Sequence, residues 1–123
     1  MEFASVRIIT NDVDRLADFY GRLTQTTPLR PAPVFAEIRT GGGVLAIGST
    51  ATVAMLGENA PQPGRNDSVM IEFQVADVDA EFARLQPDEV VLAPTTMPWG
   101  NRSALIRDPD GNVVNLFSRP ASA

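Results

Sequence analysis

At 123 residues and 44% hydrophobic content, the chain has the size and composition of one globular domain with a real core. The formal net charge is −5, every one of the ten basic residues is Arg, and none is clustered, which argues against a nucleic-acid partner. Cys, His and Lys are absent, so thiolate and Schiff-base chemistry, thiolate metal sites and the commonest general base are all excluded. No apolar run approaches the roughly 20 residues that span a bilayer. The opening MEFASVRI also lacks the basic-then-apolar order of a signal peptide, so the expectation is a cytoplasmic protein with no membrane partner.

In chain order, residues 5–10 alternate. Val6, Ile8 and Thr10 fall on one side and Ser5, Arg7 and Ile9 on the other, which predicts a strand with two differently occupied faces. Asn11 or Asp12 can cap a following helix by accepting from first-turn amides. Val13, Leu16, Ala17, Tyr20 and Leu23 then form its docking stripe, with Phe19 outside it. TTPLRPAP (26–33) carries too many prolines for a helix and reads as loop or short edge strand. Val34 to Thr40 alternates again, GGG at 41–43 makes a hairpin turn, and Val44 to Ser49 returns.

Residues 51–68 read as the joint between two modules, with ATVAML as a helical turn or strand and GENAPQPGRND as polar linker. The order then repeats. MIEFQ is a strand, ADVDAEFARL starts a helix over about 78–85 with Val78, Phe82 and Leu85 inward, and a strand follows around Val90 to Leu92. The loop APTTMPWGN, a strand over 102–107, a DPDG turn and a strand from Val113 to Ser118 complete it. Ile71 and Phe73, like Val6 and Ile8, face the helices by parity and are expected in the core. The xDVD turn occurs twice, at Asp12 and Asp77, about half a chain apart, which is the mark of an internal repeat. The expected organisation is therefore a single domain, 1–123, with module one about 4–50, a linker about 51–68 and module two about 69–119.

NDVDRLADFYGRL, the matching ADVDAEFARL and the closing PWGNRSALIRDPDGNVVNLF together resemble the vicinal oxygen chelate superfamily, which includes glyoxalase I, extradiol dioxygenases and bleomycin-resistance proteins. The resemblance covers most of the chain. It implies an α+β fold of two βαβββ modules forming a curved, incomplete barrel with the helices outside, and a homodimer. Enzymes of this group typically hold a divalent metal through one side chain on the first and last strand of each module. Carried over residue by residue, those positions are Ser5, Ala46, Met70 and Asn115, where His, Glu or Gln would be expected. Ala has no donor atom, Met is too soft for Mg²⁺ or Mn²⁺, and Ser and Asn are weak neutral ligands. A one-residue slip in register would not restore the set, because it turns every side chain to the other face. No metal and no cofactor are therefore expected.

The remaining candidates each have two readings. Arg7 and Glu72 occupy matched positions in the two symmetric strands, and read either as a salt bridge fixing the modules or as ligand anchors, Arg for a carboxylate and Glu for an amine. Glu37 is a cavity base or an exposed strand residue paired with Arg39. Trp99, with Phe35 and Met97, either walls a cavity for a planar ligand or packs at an interface. Arg102 points with Ala104 and Ile106, and reads as a cavity or a surface residue. The ligand-binding candidates are thus Arg7, Phe35, Glu37, Glu72, Met97, Trp99, Arg102 and Asn115. The favoured function is metal-independent binding of a small molecule, aromatic or cationic, in the manner of bleomycin-resistance proteins that sequester an antibiotic. The rival is a metal-free glyoxalase-like lyase or isomerase with Glu37 or Glu72 as base. A third reading is a structural or regulatory member with little cavity.

Overall fold

A computed structural model describes residues 1–120 of the chain. Contacts divide it into two compact units, Met1–Arg65 and a second beginning at Asn66. The first unit runs β1 (Val6–Thr10), α1 (Val13–Thr24), β2 (Leu29–Ala32), β3 (Phe35–Thr40), β4 (Gly43–Ser49) and a 3₁₀ segment (Thr50–Asn59). The second runs β5 (Met70–Gln74), α2 (Val78–Leu85), β6 (Val90–Thr96), β7 (Arg102–Arg107) and β8 (Val113–Ser118). The sheets have the orders β1-β4-β3-β2 and β5-β8-β7-β6. In each, the first strand pairs in parallel with the last, and the others are antiparallel. This is the α+β arrangement of two βαβββ modules that the doubled xDVD pattern predicts.

Both helices begin as the repeat requires. Asp12 and Asp77 lie in extended backbone and accept from Arg15 N and Ala80 N through Oδ1, at 3.1 and 3.0 Å. Both helices also end alike, on left-handed glutamines, Gln25 at φ 55° and Gln86 at φ 45°. Each backbone N–H bonds back into the last turn, which closes a carbonyl that would otherwise lack a donor. Asp12→Ala and Asp77→Ala are each expected to lose about 1 kcal/mol in urea denaturation, the usual worth of an N-cap.

The stripe Val13, Leu16, Ala17, Tyr20 and Leu23 of α1 is buried, and the helix packs on β3 and β4. Ala36, Ile38, Leu45 and Ile47 of those strands share one sheet face by register with Ile8 of β1, and all five are buried. In the second unit Val78 and Leu85 are buried, as are Ala104, Ile106, Val114 and Leu116. Phe82, Ile71 and Phe73 are only half-buried. Val6 differs from its expected place in the core: as the first residue of an edge strand it is 44% exposed. Phe19 sets its ring edge-on to Tyr20, centroids 5.0 Å apart.

Two stretches take a more definite form than the sequence suggested. Leu29–Ala32 is an edge strand, Leu29 lying opposite Glu37 and Ala32 opposite Phe35. The first part of the expected linker is the 3₁₀ segment, capped by Ser49 Oγ accepting from Ala51 N and anchored by buried Val53. No helix among the described residues is long and apolar enough to cross a membrane.

Candidate functional site

Each sheet has one face toward its helix and one away from it, and the second of these carries the polar candidates. On the first sheet, register places Arg7 beside Ala46 and Ala46 beside Glu37, one row across three strands. The next row is Ile9, Gly48 and Phe35. Gly48 is required where it stands. A Cβ there would come within 2.8 Å of Thr52 Oγ1 and 3.3 Å of Arg7 Cδ. Thr52 Oγ1 is itself fixed by donating to Ser49 O at 2.8 Å, so it cannot retreat cheaply. The bare backbone thus lets the 3₁₀ segment and the Arg7 stem pass over β4 together.

Glu37 is half-buried, and its carboxylate takes Arg39 Nη2 at 3.3 and 3.4 Å, a long contact to an exposed arginine that contributes little. Arg7 is exposed and Phe35 half-buried.

On the second sheet, the equivalent row is Glu72, Asn115 and Leu105, held by the parallel β5–β8 and antiparallel β7–β8 registers. Asn115 Nδ2 donates to Glu72 Oε2 at 2.8 Å. Asn115 is 8% exposed, and its Oδ1 is buried without a hydrogen-bond partner. The amide orientation follows from the carboxylate, since turning Oδ1 toward Glu72 would set two acceptors against each other.

Met97 and Trp99 belong to the turn joining β6 and β7. Met97 N donates to Asn101 O at 2.7 Å and Gly100 N to Met97 O at 2.9 Å, which closes the turn and leaves Trp99 at its tip, 70% exposed. Met97 is half-buried.

Arg102 lies elsewhere. It shares the helix-side parity of buried Ala104 and Ile106, and it reaches α2, where Nε and Nη2 donate to Asp79 Oδ2 and Oδ1 at 2.8 and 2.7 Å. Nη1 also donates to Thr96 Oγ1 at 3.2 Å. The guanidinium is therefore committed to clamping α2 on its sheet rather than to a cavity. This fork-on-carboxylate bond holds Asp79 below its ordinary pKa, Arg102 hydrogen bonding being the largest cause, and raises that of Arg102. A carboxylate whose folded pKa is depressed contributes stability above its unfolded pKa and loses it as pH falls through the folded value. The Tm deficit of Asp79→Asn relative to the parent should therefore be constant from about pH 5 to 7 and shrink below about pH 4.

At the positions that relatives use for a metal, Ser5 is exposed just before β1, Ala46 is buried with no donor, and Met70 offers a half-exposed thioether. Asn115 gives its N–H to Glu72. Among the described residues no group of three or more His, Cys, Asp and Glu side chains is placed to hold a metal ion. The donor set does not fit the usual divalent site.

Residues 2–116 match the family model described as Glyoxalase/Bleomycin resistance protein/Dioxygenase superfamily. Among solved structures, a glyoxalase-related enzyme from Fulvimarina pelagi is 20% identical with a TM-score of 0.80, covering 100% of this chain and 94% of that one. TioX from Micromonospora sp. ML1 is 25% identical with a TM-score of 0.71, covering 97% of this chain and 99% of that one. Lactoylglutathione lyase from Agrobacterium tumefaciens is 22% identical with a TM-score of 0.71, covering 95% and 92%. Likenesses at these identities speak to the fold and leave the chemistry to the side chains. A search of curated proteins finds no match.

Proposed function

The chain belongs to the Glyoxalase/Bleomycin resistance protein/Dioxygenase superfamily, and from the side chains it carries on that fold we propose that it is a metal-independent small-molecule binding protein, of the kind that sequesters an antibiotic or toxic metabolite. One observation carries the reading. Of the four positions where metal-dependent relatives hold a cation, one has no donor atom, one has a thioether, and one has spent its amide on a neighbouring carboxylate. A fold that keeps its scaffold and replaces those ligands with neutral side chains is left with sheet faces, away from the helices, suited to organic groups rather than to a cation held by protein ligands.

The available chemistry suits an aromatic or cationic ligand. Phe35 and Trp99 offer apolar ring faces, Glu37 and Glu72 offer carboxylates, and the net charge of −5 favours the approach of cations. Arg7 is the complementary anchor for an anionic group on the ligand. We propose further that the protein works as a homodimer in the cytoplasm. Light scattering on the purified protein tests the dimer.

Two measurements test the function. A thermal-shift screen of antibiotics and cationic aromatic compounds is expected to find a ligand that raises Tm, since a ligand that prefers the folded state must stabilise it; saturation at 100 times Kd corresponds to about 2.7 kcal/mol. Equilibrium dialysis against Zn²⁺, Ni²⁺ and Mn²⁺ followed by metal analysis is expected to find no stoichiometric binding. One tightly held divalent ion per chain would overturn the metal-independent reading. Trp99 fluorescence should be quenched by an aromatic ligand that stacks on it, and an unchanged spectrum on saturation would remove Trp99 from the site.

A further inference from the structure

We infer that Glu72 and Asn115 form a subsite for an organic cation bearing several N–H donors, an ammonium, amidinium or guanidinium group, on the face of the second sheet turned away from α2. The inference rests on the binding function just proposed and names the chemistry of the ligand.

Three observations support it. Glu72 is an exposed in-strand carboxylate, and within its own unit no cation among the described residues pairs with it. Its orientation is nevertheless fixed, because Asn115 Nδ2 donates to Oε2 at 2.8 Å from the adjacent strand. Asn115 Oδ1, on the same amide, is buried and has no donor. An unmet buried acceptor costs about 1–3 kcal/mol, so a group that supplies its missing N–H recovers that free energy. By amide geometry Oδ1 lies no more than about 5 Å from the carboxylate oxygen that Nδ2 holds, so one multi-donor cation can bond both acceptors. Neutral hydroxyl or carbonyl ligands lack the second donor or the charge, and carboxylates are repelled.

The rest of that face agrees. Leu105 continues the row and Phe117 flanks it in the next, so the acceptors sit in partly apolar surroundings where a charge-assisted hydrogen bond is stronger than in water. The cations nearby by register are engaged: Arg107 donates to Gly111 O at 2.9 Å and lies 3.9 Å from Glu89, and Arg119 lies over the Phe117 ring at 5.7 Å.

The test compares benzamidine, benzamide and benzoate, near-isosteric probes that are cationic, neutral and anionic, against the ¹⁵N-labelled full chain by two-dimensional NMR titration. Benzamidine is expected to bind at millimolar concentration, shifting the Asn115 side-chain amide and β5 and β8 backbone resonances, while benzamide and benzoate do not. Glu72→Gln keeps an acceptor for Asn115 Nδ2 while removing the charge and exchanging the second acceptor oxygen for an amide donor, so it should fold normally and weaken benzamidine at least tenfold. Asn115→Leu should weaken it similarly; if that variant does not fold, Glu72→Gln decides alone. Equal binding of the three probes, shifts confined to other elements, or benzamidine affinity unchanged in Glu72→Gln would overturn the subsite. The broader binding function would survive any of these if the compound screen still yields a stabilising ligand whose affinity ignores Glu72. If no probe binds, the subsite falls, and the binding function falls with it only if the screen is also blank.

Discussion

Replacing Asp108 with Ala is expected to cost about 3 kcal/mol, measured by urea denaturation, although Asp108 lies outside the candidate site. Asp108 is 4% exposed, and its carboxylate accepts three hydrogen bonds within the DPDGN turn. Oδ1 takes Asp110 N and Asn112 N, both at 2.9 Å, and Oδ2 takes Asn112 Nδ2 at 2.7 Å. Asn112 is buried too, and its Oδ1 accepts from Asn66 Nδ2 at 3.0 Å, which ties the start of the second unit to the turn. Truncation would leave buried N–H groups without acceptors, at about 1–3 kcal/mol each, against a total stability of about 5–15 kcal/mol for a domain. Gly111 supports the same geometry at φ 87°, where a side chain would be strained. Asp108→Asn should cost nearly as much, since its new amide N–H would face the Asn112 amide N–H. Exchanging the pair, Asp108→Asn with Asn112→Asp, restores donor to acceptor and should recover more than 1 kcal/mol of the single-mutant loss, a coupling that a double-mutant cycle reads directly. The turn also matters to the site: it sets the register of β8 on β7, and that register puts Asn115 beside Leu105 and Glu72.

The turn and the caps were legible in the sequence because their chemistry is local. Asp12 and Asp77 cap helices by accepting from amides three residues on, and DPDGN closes on itself; neither needs knowledge of a distant strand. Alternation and helical spacing likewise gave the α1 stripe and the succession of elements along the chain, since both follow from the local period of apolar residues. Val6 escaped that rule because parity says which way a side chain points and not whether anything covers it at an edge. The 3₁₀ segment was hard to read for a different reason. Its packing rests on one residue, Val53, and Gly57 breaks it at φ 59°, so no period develops.

At the candidate site, singling out residues was easier than pairing them. Glu72 and Asn115 both stood out, but their hydrogen bond depends on which residues of β5 and β8 come abreast, and strands 43 positions apart carry no local signal of that. Arg102 shows the converse. Its parity with Ala104 and Ile106 already placed it on the helix side, and Asp79, two residues into the α2 repeat, was the acid available there. That pairing was within reach of strand alternation combined with the cap position.

Tyr20→Ala should be the most destabilising single change in the first unit, at about 3–5 kcal/mol in urea denaturation, the range for truncating a buried aromatic. Tyr20 is fully buried at the centre of the α1 stripe, with the ring of Phe19 edge-on to it and Leu16, Ala17 and Leu23 buried beside it on the helix. The removed ring leaves a cavity under α1 that the close-packed strands β3 and β4 beneath the helix cannot collapse to fill. Tyr20→Phe keeps nearly all of the volume and should lose far less, so the contrast separates packing from the hydroxyl. The functional consequence runs through the sheet. α1 covers one face of β3 and β4, and the same strands present Glu37 and Ala46 on the other, in a row with Arg7. Loosening α1 therefore frees the strands that hold that row. Any ligand bound through Arg7 or Glu37 should lose affinity in Tyr20→Ala at temperatures well below its Tm, whereas one held only by Glu72 and Asn115 should not.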